Sequence, residues 1–219
     1  MLSVPSKFVR NHPSVTEGIG IENTGEAILN AVKKILDLED YSQSDILDVG
    51  CGTRLTQTLI NRKIPIQSYT GIDIDKELIE FLQQNVEENN FQFVHLDIKN
   101  ELYNSQGKDF KNFEFPFVNK SFDVIWLFSV FTHLKENDAV DMLRRTRKHI
   151  KNNGRLIFTF FLDDTISEPV VDIYPNRPCL KVHYQSNKMR SLITSNGWKI
   201  VDIKPPQNYM AHIAVCQPS

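Results

Sequence analysis

The chain has 219 residues, of which 41% are hydrophobic and 24% are charged, and its formal net charge is −2. This length suits one domain with a well-buried core, and no apolar run approaches the roughly 20 residues that a membrane span needs. The small net charge gives no general attraction to phosphate backbones, so nucleic acid is not an expected partner. Because the N-terminus lacks a cationic and apolar leader, we expect a cytoplasmic protein that contacts no membrane.

The N-terminal region combines an irregular arm, which contains proline and glycine, with a predicted helix over residues 24–38. The helix is predicted because its apolar residues fall on one stripe, namely Ala27, Ile28, Ala31, Ile35 and Leu38. We assign residues 1–45 to this arm and helix, acting as a lid or on the acceptor side, and residues 46–219 to the main domain.

Short β-rich segments alternate with amphipathic helices along the rest of the chain, which is the pattern of βαβ units and a parallel sheet. The predicted strands cover residues 46–49, 69–74, 91–96, 122–128 and 155–162, and the helices between them cover residues 76–89 and about 139–150. The second helix is expected to end at Asn152-Asn153-Gly154 through a left-handed glycine. Residues 163–178 are expected to be irregular and residues 186–195 helical.

Two closing strands, over residues 198–203 and 209–216, are joined by residues 204–208. Such a connection is too short for a parallel crossover, so the pair is expected to be antiparallel. The predicted fold class is therefore α/β, with a Rossmann-like seven-stranded mixed sheet that is parallel except for one antiparallel C-terminal strand. Helices are expected on both faces of the sheet.

The segment Leu47-Asp48-Val49-Gly50-Cys51-Gly52-Thr53 joins the first strand to the next helix. Its two glycines allow a ligand to approach the backbone at the carboxyl end of a strand, although a tight turn without a ligand would use glycine for the same reason. Asp73 ends the second strand roughly 20 residues later, the position that binds ribose hydroxyls. Asp75 is expected to cap the following helix. A nucleotide-like ligand is implied.

In this order, the motifs resemble those of the class I S-adenosylmethionine-dependent methyltransferases, from about Ile46 to Cys216. The resemblance implies S-adenosyl-L-methionine as cofactor, with Asp73 on the ribose, Asp97 on the adenine amino group and Ile98 against the ring. The cofactor-binding residues that it implies are Asp48, Gly50, Cys51, Gly52, Asp73, Ile74, Asp97, Ile98, Leu127 and Phe128. One departure is the lack of a third glycine after Gly52, where family members often have one.

A dinucleotide dehydrogenase is a weaker alternative, because the loop also lacks the final glycine of a Gly-x-Gly-x-x-Gly fingerprint. The antiparallel C-terminal pair separates the methyltransferases from that class. The three cysteines, Cys51, Cys179 and Cys216, are far apart and form no Cys-x-x-Cys pair, so we expect free thiols and no metal site.

Methyl transfer from a sulfonium mainly requires alignment of the nucleophile, the methyl group and the sulfur. His133, on the loop after the fourth strand, is the candidate general base, although a local role at the start of the next helix is the alternative. Acceptor recognition is expected in the N-terminal arm and in residues 163–184.

The predicted function is transfer of a methyl group to an oxygen or nitrogen of a small-molecule acceptor. One alternative is a catalytically silent protein that binds S-adenosylmethionine. Another is a methyltransferase of nucleic acid or protein, which would use a basic cluster on a predicted helix to hold an acidic partner; a solvated helix face would show the same run. The cluster comprises Arg144, Arg145, Arg147, Lys148 and Lys151.

Overall fold

The computed structural model describes residues 1–9, 19–206 and 211–219, and the chain divides into two compact units, Met1–His95 and Leu96–Ser219. The described part of the first unit has three α-helices and three strands, which are Ile21–Leu36 (α1), Tyr41–Val49 (β1), Arg54–Asn61 (α2), Ile66–Asp73 (β2), Lys76–Asn85 (α3) and Phe91–His95 (β3). Strand β2 pairs in parallel with both β1 and β3. The carboxyl ends of the three strands therefore lie at the same edge.

Helices α1 and α2 approach each other closely at Gly25. An ideal Cβ atom on Gly25 would lie 2.0 Å from Thr58 Oγ1 and 3.3 Å from the carbonyl oxygen of Arg54. The Tyr41 hydroxyl donates a hydrogen bond of 2.5 Å to the carbonyl of Leu29, which ties α1 to the start of β1. The N-terminal helix is thus packed against the elements that follow it in the first unit.

Residues 1–9 also contact helices of the first unit. The amide of Leu2 donates to Asn61 Oδ1 at 2.7 Å, and the ring of Phe8 lies 5.2 Å from that of Phe81, centroid to centroid. The remainder of the predicted arm, residues 10–18, lies outside the described residues. Its role as a lid stays a prediction.

The described part of the second unit has six strands and two α-helices. They are Phe122–Leu127 (β4), Glu136–Lys148 (α4), Ile150–Leu162 (β5), Val170–Asp172 (β6), Val182–Tyr184 (β7), Ser186–Ser195 (α5), Trp198–Lys204 (β8) and His212–Pro218 (β9). Strand β5 pairs in parallel with β4 and β7, and β9 is antiparallel to both β5 and β8. The expected antiparallel C-terminal strand and the α/β class are confirmed, although residues 207–210, where this strand was expected to begin, are not described.

Two strands lie where the sequence predicts irregular backbone. Strands β6 and β7 are three residues each and pair antiparallel within residues 163–184. They come in addition to the seven predicted strands. Strand β1 also begins earlier than expected, at Tyr41 rather than Ile46, and so includes the polar run from Ser42 to Asp45.

The helix after the fourth strand does not end at Asn152-Asn153-Gly154 as predicted. Helix α4 ends at Lys148, and Gly154 lies inside β5 without a positive φ. The register between β4 and β5 shifts here, since Phe122 is paired with Ile150 but Val124 with Arg155. An ideal Cβ at Gly154 would lie 2.9 Å from the carbonyl oxygen of Asp123, so the close approach of the neighbouring strand requires the glycine.

All three cysteines are buried and free, as expected. In the described ranges, no helix combines the length and the apolar character needed to cross a lipid bilayer.

Candidate cofactor and acceptor sites

A four-residue loop, Gly50–Thr53, connects β1 directly to α2. Gly50 and Gly52 have φ angles of 70° and 51°, in the left-handed region that favours glycine. The amides of Gly50 and Cys51 both donate to the carbonyl of Ile72, at 2.8 and 3.0 Å. The loop is therefore pinned to the carboxyl end of β2, and helix α2 begins without a third glycine.

Asp73 joins this loop to the start of the next helix. Its carboxylate, on a residue only 7% exposed, accepts the amide of Gly52 through Oδ2 and the amide of Asp75 through Oδ1, each at 3.0 Å. An ideal Cβ on Gly52 would meet no other atom within 4 Å. The structure thus brings Gly50, Cys51, Gly52 and Asp73 together around open space beside the loop backbone.

Asp48 lies behind the loop rather than in it. It is 2% exposed and accepts a hydrogen bond of 2.6 Å from the hydroxyl of Tyr69, which lies 3.2 Å from the hydroxyl of Thr56. Burial, and then the Asp48 carboxylate, raise the pKa of Tyr69 well above its usual value. The sequence marks Tyr69 only as a strand residue, so its partnership with Asp48 was missed.

Cys51 has its thiol in the same buried environment. Burial raises its pKa, and the neighbouring carboxylates of Asp73 and Asp48 raise it further, so the thiol stays neutral. An ideal Cβ on Gly71 would lie 3.0 Å from Cys51 Sγ. The side chain of Cys51 therefore packs against β2, and the residue offers its backbone to the loop.

The predicted helix cap is confirmed at Asp75, whose Oδ1 accepts the amide of Leu78 at 3.2 Å as α3 begins at Lys76. Ile74, which precedes it, is half-buried. The carbonyl of Ile74 lies 3.3 Å from His95 Nε2 at the end of β3.

The other predicted cofactor residues belong to the second unit. Ile98 and Leu127 are buried, and Phe128 is half-buried with its ring 6.1 Å from that of Trp126. Asp97 is exposed, and its carboxylate lies 3.9 Å from Lys108 Nζ. The cofactor contacts of these four residues stay predictions.

His133 is the last residue of a short 3₁₀ helix, Phe131–His133, after β4. Its Nδ1 lies 2.8 Å from the carbonyl oxygen of Cys179, in the segment between β6 and β7. Because a carbonyl can only accept, Nδ1 carries a proton, and in the neutral ring Nε2 holds the lone pair. Burial lowers the pKa of His133, and the ring of Tyr103 stands edge-on at 5.6 Å. The imidazole is thus hydrogen-bonded to the segment between β6 and β7 and not to the start of α4.

The basic cluster on and after α4 is bound within the second unit. Arg145 is 4% exposed, and its guanidinium donates to the carbonyls of Phe113 and Phe110. Its neighbours have equally specific partners, in the pairs Arg144 with Asn196, Arg147 with the carbonyl of Gly197, Lys148 with Glu114 and Lys151 with Asp123. Arg145 therefore belongs to the packed interior, whereas Lys148 and Glu114 form a pair at the surface, where an ion pair contributes little to stability.

Comparison with known proteins agrees with this arrangement. The family model described as "Methyltransferase domain" matches residues 47–156. A malonyl-[acyl-carrier protein] O-methyltransferase of Acetivibrio thermocellus is 30% identical over 139 residues, which are 64% of this chain and 43% of that relative. A ribosomal protein L11 methyltransferase of Thermosipho africanus is 24% identical over 185 residues, 84% of this chain and 60% of that relative. The chain thus spans about half the length of these relatives.

The match to one solved structure extends over nearly the full length of both chains. The S-adenosylmethionine-dependent methyltransferase from Clostridium acetobutylicum matches 97% of this chain and 98% of its own, with a TM-score of 0.62 and 13% identity, which shows a shared fold. The family model includes the glycine loop, Asp73 and the strands through Leu156, and it spans half of the chain. The protein therefore belongs to the class I S-adenosylmethionine-dependent methyltransferase family.

Proposed function

We propose that the protein transfers a methyl group from S-adenosylmethionine to an oxygen or nitrogen of a small-molecule acceptor. The observation that carries the proposal is the loop Gly50–Gly52, held open at the end of β1 and bonded to Asp73 at the end of β2. A backbone that exposes open space beside a carboxylate suits a ligand with a ribose, because the carboxylate can accept hydrogen bonds from the ribose hydroxyls.

In this proposal, the first unit holds the donor. Asp73 accepts the ribose hydroxyls while it continues to hold the amides of Gly52 and Asp75, and Gly50 and Gly52 give the ligand access to the loop backbone. When bound, S-adenosylmethionine supplies an electrophilic methyl group on a positively charged sulfur. The carboxylates of Asp73 and Asp48, which raise the pKa of Cys51, make this region favourable to positive charge.

His133 is the proposed general base. The Cys179 carbonyl fixes the proton on Nδ1, so that Nε2 is the atom able to take a proton from a hydroxyl or an amine. Burial lowers its pKa, which favours the neutral imidazole, the form that a base requires.

The internal partners of the basic side chains favour a small-molecule acceptor over a nucleic acid or an acidic protein. Binding of a polyanion needs lysines and arginines that are available to neutralise its charges. In the second unit these side chains instead hold backbone carbonyls, Asn196 and acidic residues. The relatives named above act, by their names, on an acyl-carrier protein substrate and on a ribosomal protein, so both belong in the experimental panel.

Two measurements test the proposal. Calorimetry with S-adenosylmethionine and S-adenosylhomocysteine should show binding, and the absence of binding to both would refute it. Transfer of a radioactive methyl group should then be assayed with small alcohols, amines and carboxylates, malonyl-acyl-carrier protein, ribosomal protein L11 and ribosomal RNA. Transfer only to L11 or RNA would refute the small-molecule acceptor, and tight binding without any transfer would favour the silent binding protein.

A further inference from the structure

Cys179 has an unusual backbone conformation beside the proposed base. Its φ of 62° is left-handed, which a residue with a side chain rarely adopts without a local reason. Two hydrogen bonds hold it: its amide donates to Asp172 Oδ2 at 2.7 Å, and its carbonyl accepts from His133 Nδ1 at 2.8 Å. Asp172 and His133 are therefore linked through the backbone of one residue.

The segment that carries Cys179 is closed on itself. The amide of Ile173 donates to the carbonyl of Lys181 at 2.9 Å, extending the β6–β7 pairing, and the amide of Leu180 donates to Arg177 at 3.1 Å. The hydroxyl of Tyr184, at the end of β7, donates to the carbonyl of Leu134 directly after His133. These hydrogen bonds thus fix the positions of Asp172 and His133 relative to each other.

Asp172 is suited to hold the Cys179 amide. Its side chain is 17% exposed, and Lys135 Nζ lies 4.0 Å from Oδ2 while also pairing with Glu101 at 3.3 Å. Oδ1 is buried and has no hydrogen-bond partner among the described residues. The Asp172 carboxylate accepts a charge-assisted hydrogen bond from the Cys179 amide. Removing the carboxylate would therefore leave the left-handed turn without this restraint.

We infer that Asp172 is a positioning residue, which acts through the backbone of Cys179 to fix the tautomer and orientation of the His133 imidazole. The inference rests on the proposed role of His133 as base. The Cys179 thiol takes no part: burial raises its pKa, and only the amide and carbonyl of this residue form the link. A glycine at position 179 would adopt the same φ with less strain and keep both bonds.

The test is the ¹⁵N NMR spectrum of the His133 ring in the full chain, which reports the nitrogen that carries the proton and needs neither cofactor nor acceptor. At a pH above the His133 pKa, the unsubstituted protein should show the proton on Nδ1. Asp172→Ala should raise the fraction with the proton on Nε2 by about 2- to 12-fold, the range expected for the loss of one ordinary hydrogen bond. Asp172→Asn retains an acceptor oxygen and should restore the original spectrum.

Asp164→Ala is the matched control, because this carboxylate also accepts a backbone amide, that of Ser186 at 2.6 Å, but does not contact the His133 link. It should leave the ring signals unchanged, as should Cys179→Gly. Unchanged signals in Asp172→Ala, equal changes in Asp164→Ala, or a proton on Nε2 in the unsubstituted protein would each overturn the inference. If the NMR result holds while calorimetry shows no cofactor binding, the proposed function fails and the positioning role stands.

Discussion

The glycine loop with Asp73 and the His133–Cys179 pair differ in how the chain builds them. The loop and Asp73 are at most 23 residues apart, and their contacts follow directly from two neighbouring parallel strands. His133 and Cys179 are 46 residues apart and meet only because β6 and β7 place the intervening segment beside the 3₁₀ helix. The proposed donor site thus follows from the basic α/β arrangement, whereas the proposed base depends on the segment after β5.

The largest expected effect separates chemistry from binding. His133→Gln should lower the turnover number by about 10²- to 10⁴-fold, the usual contribution of a general base, and leave the calorimetric affinity for S-adenosylmethionine unchanged. Because burial lowers the pKa of His133, kcat/KM should rise with pH through a pKa below the usual value of about 6.5 and then level off. A His133→Gln variant that retains this acid limb would exclude His133 as its origin.

Asp73→Ala should affect binding instead. Loss of the carboxylate should weaken S-adenosylmethionine binding by about 1–3 kcal/mol, or roughly 5- to 150-fold. Asp73→Asn, which retains one acceptor oxygen, should fall between the two proteins in calorimetric titrations. Equal affinities in all three would show that Asp73 does not bind the ribose.

Gly52→Ala tests whether the open space at the loop is the donor site. The left-handed φ should cost about 1–2 kcal/mol of folding stability, measured by chemical denaturation, and the added methyl group should also weaken cofactor binding. Gly197→Ala is the control, since Gly197 has a φ of 82° in the second unit. It should lose similar stability without any loss of affinity, and equal losses of affinity in both would argue against a local effect.

The smallest expected effect concerns Asp75, which caps α3 but is not proposed to contact the cofactor. Asp75→Ala should lower the free energy of unfolding by about 1 kcal/mol, whereas Asp75→Ser should lose much less. Affinity for S-adenosylmethionine should be retained, because Asp73 accepts the backbone amide of residue 75 and not its side chain. Weakened binding in Asp75→Ala would extend the donor site beyond Asp73.

Local features were the predictable ones. The cap at Asp75, the glycine turn after β1 and helix α5 depend on residues a few positions apart, and the sequence carries that information directly. Gly154 was misinterpreted because its requirement comes from the carbonyl of Asp123 on another strand. Strands β6 and β7 were missed because three-residue strands have no visible alternation; β6 pairs only with β7 among the described strands, and β7 also pairs with β5.

The partners of candidate site residues were less predictable than the residues themselves. His133 was identified from its place after the fourth strand, but no pattern in residues 163–184 indicates Asp172 or the Cys179 carbonyl as its support. The bond between Tyr69 and Asp48 was equally hidden, although both were recognised as strand residues. The run of basic residues on α4 could not be distinguished from a binding surface until their partners were known.

The contact between Gly25 and Thr58 has a consequence for sequence variation in this family. An ideal Cβ at position 25 would lie 2.0 Å from Thr58 Oγ1 and also 2.9 Å from Thr58 Cβ, so a smaller side chain at position 58 would still be too close. A relative with alanine at position 25 should therefore have its N-terminal helix shifted away from α2.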